Sequence, residues 1–318
     1  MGLYRFNSFF SELSLVSSVV VLYSLAVYFV LERFMGQSYA PLLATEDFFL
    51  FLALTVFLLG GSQGPLAYVV MVPVALFAFA EEFLFNGTLV WAGLILAFLG
   101  LVCLPVFALF FRNRDSNVSA ALEVSALLFV TRLVLSPFPV SVIQSSVAVP
   151  IIYTLILAAL VIYIWVRRLP LAEVGLTRGS GRLPVQILVG LLIGGVLGYV
   201  ELVILHPPPI AIGPSFLVNA LYVIVTMAAF VGLIEELLYR GLVLSRLAKM
   251  MPRWQAVHIT AVLFALFNIG WFNPLEVIFA YGAGVVFGYL MLRYNSIAAP
   301  ITAHGFCNVV LYLLTLSL

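Results

Sequence analysis

Charge is scarce in this chain. Only 8% of its 318 residues are Asp, Glu, Lys or Arg, and the net charge is +1. So neutral a chain carries no basic footprint for a phosphate backbone, and nucleic acid is not an expected partner. Cysteine is nearly absent. Cys103 and Cys307 are single residues in apolar runs, which excludes a disulfide framework and a cysteine-built metal site and leaves packing as their expected role. Histidine is equally sparse, so imidazole chemistry must come from His206, His258 or His304. No signal peptide is expected at Met1–Phe10, because the first apolar run is too long and lacks a clear small-residue cleavage site.

What is there is apolar. Hydrophobic residues make up 64% of the chain, and the mean hydropathy is +1.23. Repeated runs near 20 residues predict an all-α polytopic membrane protein, a multi-pass protein surrounded by lipid and expected in the plasma membrane. Hydropathy predicts about eleven spans (ten if two short ones are joined), near 13–31, 48–60, 66–80, 88–111, 118–135, 147–166, 185–205, 215–246, 254–270, 275–292 and 297–316. The second and third are short and flank Gly60-Gly61-Ser62-Gln63-Gly64-Pro65. Arg112 and Arg114, then Arg167, Arg168, Arg178 and Arg182, then Arg246, Lys249 and Arg253, then Arg293 fall in four loops on one side. Basic loops mark the cytoplasm, so the N-terminus is expected inside and the C-terminus outside, with Arg33 the one dissenter.

The basic stretch 167–184, with Gly179-Ser180-Gly181, predicts a cytoplasmic linker. It separates an N-terminal transmembrane region, residues 1–166, from a region at 185–318 that holds the chemistry-bearing motifs. The N-terminal region has one echo of those motifs, Glu81-Glu82-Phe83-Leu84-Phe85-Asn86-Gly87. Asn86 stands where the motif has arginine and no partner motif follows, so the acidic end of a span at the interface is the expected role.

The motif itself is Glu235-Glu236-Leu237-Leu238-Tyr239-Arg240-Gly241, after an uncharged run from Phe216 to Ile234. Charge at membrane depth is costly and marks a functional site with a partner to be found. On a helix Glu236 and Arg240 pair at i,i+4, while Glu235 points about 100° away and is free to meet another helix. Glu235 lies roughly 16 Å in from Arg246, in the inner half of the bilayer. A structural ion pair is the expected role of Glu236 and Arg240, and function the expected role of Glu235.

Two further polar positions lie on later spans. Asn268 closes Phe264-Ala265-Leu266-Phe267-Asn268, and alone it reads as a cross-helix hydrogen-bonding residue. His304 and Asn308, in His304-Gly305-Phe306-Cys307-Asn308, share a helix face. His206 precedes a proline loop and reads as structural; His258 lies about 15 Å along the helix from Asn268 and cannot replace it.

In this order and on separate spans, these stretches resemble the CPBP family of intramembrane proteases, which includes the type II CAAX prenyl proteases. The family's EExxxR motif is matched by Glu235, Glu236 and Arg240, and its His-xxx-Asn motif by His304 and Asn308. The run Phe279 to Gly288, with Arg293, Ser296, Ile297 and Pro300, is also similar, and Gly284 and Gly288 form a small-xxx-small pair. The resemblance covers about 185–318. It implies an intramembrane glutamate-dependent endopeptidase acting near the cytoplasmic leaflet on a CAAX-type or other membrane-bound peptide or protein. It further implies Glu235 as the general base and His304 with Asn308 as the oxyanion site.

One departure stands out. The family's second motif is FxxxH, and here Asn268 occupies the histidine position. An amide cannot accept a proton as imidazole does, although it can orient water. No metal or other cofactor is expected. A catalytic zinc takes three protein ligands, and only Glu235, Glu236 and His304 are to hand, with Glu236 assigned to Arg240. The alternative is a catalytically inactive relative, a membrane scaffold or peptide-binding protein. A transporter would show duplicated broken helices in two halves, for which the Glu81 echo is too thin.

Overall fold

The structure is a computed structural model that describes residues 40–59, 69–85, 89–136, 148–207, 209 and 213–316. The predicted span 13–31 and the glycine-rich break at 60–65 lie outside the described residues. The described secondary structure is helical: α1 (Ala40–Leu59), α2 (Met71–Leu84), α3 (Val90–Phe111), α4 (Ser116–Leu135), α5 (Ala148–Val166), α6 (Leu183–Leu205), α7 (Phe216–Leu247), α8 (Arg253–Phe267), α9 (Pro274–Tyr294) and α10 (Ala298–Leu316). Eight of these, α3 to α10, are long and apolar enough to cross a membrane, α8 together with the short turn Ile269–Trp271 that follows it. Where two short spans were expected at 48–60 and 66–80, the structure has the 20-residue α1 and the 14-residue α2. Large side chains stand exposed along α3 (Trp91, Ile95, Phe98, Val106), α5 (Ile151, Leu155, Ile162) and α6 (Leu188, Leu192, Val196). Apolar faces of this extent suit hydrocarbon, not water. The chain is a multi-pass integral membrane protein.

Two compact units emerge. The first comprises the described residues up to Ala126 with Arg246–Tyr281. Within it α8 packs on α1 and α2, and α2 on α3. Gln255 of α8 ties α1 down, its Nε2 donating to the carbonyls of Val56 at 2.6 Å and Phe57 at 3.0 Å. Glu81 and Glu82 stand in the last turns of α2, the acidic end of that helix, and both are buried.

The second unit comprises Leu127–Ser245 with Gly282–Leu318 and holds the motif residues Glu235, Glu236, Arg240, His304 and Asn308. Its spine is the pair α6 and α10. They approach closely because Gly190, Gly194 and Gly198 recur every four residues on one face of α6. A Cβ at Gly190 would stand 2.7 Å from Thr302, and one at Gly194 or Gly198 would run into the carbonyls of Ala303 or Cys307. Small residues permit this backbone approach where no hydrophobic drive between helices exists.

The stretch 167–184 is built into this unit. The amide of Ile297 donates to Gly175 O at 3.0 Å, and the hydroxyl of Ser296 to Thr177 O at 2.7 Å. Ser180 donates its hydroxyl to Arg293 O at 3.0 Å. Gly179 has φ +56°, and a side chain there would meet the carbonyl of Tyr294. The α9–α10 turn is thus fastened to the 167–184 stretch by backbone groups and by the hydroxyls of Ser180 and Ser296.

Candidate active site

The site grows from the irregularity of α7. Two stretches of this helix, Thr226–Gly232 and Leu237–Leu244, are wound as π-helix, with the regular turn Leu233–Glu236 between them. A π turn bonds each amide to the carbonyl five residues back, and such turns recur at functional sites. The two carboxylates Glu235 and Glu236 sit at the end of the regular turn, and both are buried.

Glu236 and Arg240 are wholly buried and paired, Arg240 Nη1 lying 2.7 Å from Glu236 Oε1. Arg240 reaches further to α9. Its Nη2 donates to Gly284 O at 3.1 Å, and the guanidinium lies over the Phe287 ring, 5.2 Å from the centroid. Phe287 also stacks on the imidazole of His304, with centroids 5.4 Å apart and an interplanar angle of 19°. One aromatic ring therefore orients both a cation and a histidine.

His304 bridges the two glutamates. Its Nδ1 lies 2.9 Å from Glu236 Oε1, and its Nε2 lies 3.9 Å from Glu235 Oε2. A carboxylate already paired with arginine only accepts hydrogen bonds, so Nδ1 carries the proton in that contact. Glu236 thereby fixes the ring, and Nε2 is the nitrogen presented to Glu235. A separation of 3.9 Å exceeds a direct hydrogen bond and is one that a water or substrate oxygen can bridge.

Two glycines bring these groups together. A Cβ at Gly232 would stand 2.8 Å from the Cα and N of Gly305, and one at Gly305 would stand 2.8 Å from the Cα of Ala228. Gly232 lies one turn before the glutamates, and Gly305 follows His304 directly, so α7 and α10 touch at the level of the site.

Two partners were not anticipated. Tyr153 of α5 donates its hydroxyl to Glu235 Oε1 at 2.6 Å. Glu201 of α6, also buried, accepts from Cys307 Sγ at 3.1 Å, so Cys307 does more than fill space. Glu201 also lies within electrostatic reach of His304 and Glu235. The sequence did carry a signal for Glu201, a lone carboxylate in an apolar span. Tyr153 had a weaker one, as the only polar member of the buried stripe Val149, Ile152, Tyr153, Ile156, Leu160.

Asn308 follows His304 by one turn of α10 and is half-buried. Asn268 belongs to the first unit. It terminates α8, and its Nδ2 donates to Phe264 O at 2.9 Å, so the amide caps its own helix. His258 likewise belongs to the first unit, where its Nδ1 meets the hydroxyl of Tyr281 at 2.6 Å. His206 is exposed at the end of α6 with φ +46°.

A cluster of two carboxylates, an arginine and a histidine on α7 and α10 invites comparison with known proteins. Residues 217–310 match the family model described as Type II CAAX prenyl endopeptidase Rce1-like. No curated protein and no solved structure gives a significant match. The Rce1-like segment runs from α7 into α10, under a third of the chain. It contains Glu235, Glu236, Arg240, Asn268, His304 and Asn308. Tyr153 and Glu201 lie outside it.

Proposed function

We propose that the protein is a glutamate-dependent intramembrane endopeptidase of the CAAX type. One observation carries the reading. Within the Rce1-like segment, Glu235 Oε2 and His304 Nε2 face each other at 3.9 Å, in a buried site held by the Glu236–Arg240 pair.

Glu235 is the general base. Its Oε2 takes a proton from a water, and the resulting hydroxide attacks the scissile carbonyl carbon. His304, as the imidazolium with a proton on Nδ1 for Glu236 and a second on Nε2, and Asn308 donate to the developing oxyanion, an electrostatic contribution that is usually the largest in such reactions. Glu235 then returns the proton to the leaving amine as the carbon–nitrogen bond breaks. Glu236 and Arg240 keep the imidazole in place and take no part in bond making.

The substrate is a membrane-bound peptide or protein, reached from lipid or from the cytoplasmic leaflet, and the membrane is the plasma membrane. The N-terminus is inside, following the one-sided basic loops, and residues 185–318 form the protease core. Purified protein should cleave members of a membrane-peptide library, and Glu235→Gln should lower the rate of that cleavage by at least about 10²-fold. Cleavage that survives the substitution unchanged refutes the assignment.

A second reading rests on Asn268. The family's second-motif histidine is replaced by an amide that caps its own helix, which favours a relative that binds peptides without cutting them. The wild type then cleaves nothing, and Glu235→Gln alters only binding or stability.

A further inference from the structure

We propose that Tyr153 is the positioning residue of Glu235, so that the N-terminal half of the chain supplies part of the site. This inference rests on the reading of Glu235 as the base. The hydroxyl of Tyr153 donates to Oε1 at 2.6 Å, a short charge-assisted bond between groups 82 residues apart in sequence. Tyr153 is buried, and α5 packs directly on the parts of α7 that precede and carry Glu235.

The geometry divides the work of the carboxylate. Oε1 is occupied by the phenol, and Oε2 points to His304 Nε2. With one oxygen held, the side chain cannot rotate to exchange the two, and the lone pairs of Oε2 remain directed at the space shared with His304. A base held by a side chain that is itself locked by packing is preorganised for attack. The rest of the buried stripe of α5 is aliphatic and does nothing but pack. Tyr153 lies on α5, so a helix outside the Rce1-like segment bears on Glu235. Nothing in the family match predicts this, because it begins at residue 217.

The test uses the full-length protein in detergent or bilayers, with Tyr153→Phe, Glu235→Gln and the double variant. Tyr153→Phe keeps the ring and its packing. It should lower kcat on a cleaved peptide by roughly tenfold or more, since small misplacements of a reacting group can cost about 10²-fold, while KM and the unfolding temperature stay near wild type. In the Glu235→Gln background the same change should cost nothing further. Infrared difference spectra, with the Glu235 band identified by its loss in Glu235→Gln, should show that band shifted in Tyr153→Phe whether or not a substrate is known. An unchanged band, or a Tyr153→Phe enzyme with wild-type kcat, overturns the inference. Equal losses with and without the Glu235 carboxylate would reduce Tyr153 to a structural residue and overturn it too. If Glu235→Gln itself turns over like wild type, it is the base assignment that fails.

Discussion

Gly232 of α7 and Gly305 of α10 touch backbone to backbone. A Cβ on Gly232 would stand 2.8 Å from the Cα and N of Gly305, so neither helix can move toward the other and neither position tolerates a side chain in place. The contact lies one turn from Glu235 and directly beside His304. It sets the distance between the two groups assigned to the chemistry.

Gly232→Ala and Gly305→Ala should therefore push the helices apart. Overpacking of this kind costs about 1–3 kcal/mol, and a displacement near 1 Å at a reacting group costs on the order of 10² in rate. Turnover should fall much more than the unfolding temperature does. Gly282→Ala is the control, since a Cβ there meets nothing within 4 Å. Equal turnover in all three variants would dissociate the glycine contact from the site.

Arg240→Leu should be severe. It leaves the Glu236 carboxylate buried without its cation, and breaking a buried pair from one side costs about 3–5 kcal/mol. The unfolding midpoint and the yield of folded protein report the loss. Glu236→Leu combined with Arg240→Leu should recover part of it, because no lone charge remains. A double variant less stable than Arg240→Leu alone would mean that the pair is not the unit that matters.

Much of this site could be read along the chain, and the part that could not has a common cause. Contacts within one helix are legible: the i,i+4 spacing of Glu236 and Arg240 is the spacing of their 2.7 Å pair. Helices α3 to α10 sit close to the hydropathy runs, because apolar length is a local property. The partners of Glu235 and Cys307 were hidden, since Tyr153 and Glu201 come from helices 82 and 106 residues away. The π winding of α7 was hidden as well, because an apolar run does not record which carbonyl each amide chooses. The charge and glycines of the loop 167–184 were legible, and its attachments were not. The hydroxyls of Ser180 and Ser296 and the amides of Ser180 and Ile297 donate to the carbonyls of Arg293, Thr177, Tyr294 and Gly175, and carbonyls carry no residue identity.

On the proposed function, Asn268 is the position that should separate an active enzyme from an inactive relative. In an active enzyme that positions water with an amide, Asn268→Ala should lower turnover. Asn268→His, which restores a proton acceptor at the second-motif position, should raise it by about tenfold or more, within the range that a positioned acid–base group contributes. Cleavage rates of the purified variants decide the matter, and rates indifferent to both changes would deny Asn268 a part in turnover.

Orientation is open to direct labelling. Single cysteines in a cysteine-free background should be labelled from the cytoplasmic side at 112–116, 178–182 and 249–252, and from the opposite side at 208–213 and 271–274. Residues 180 and 211 labelled from the same side would overturn the orientation, and with it the placement of Glu235 in the inner leaflet.

The most direct measurement is the single-turnover rate of wild type and Glu235→Gln on one identified membrane peptide. The substitution keeps the shape of the side chain and removes its ability to take a proton. If Glu235 is the base, the rate falls by at least about 10²-fold while the peptide still binds and the fold is retained. Equal rates in the two proteins would contradict the account at its centre.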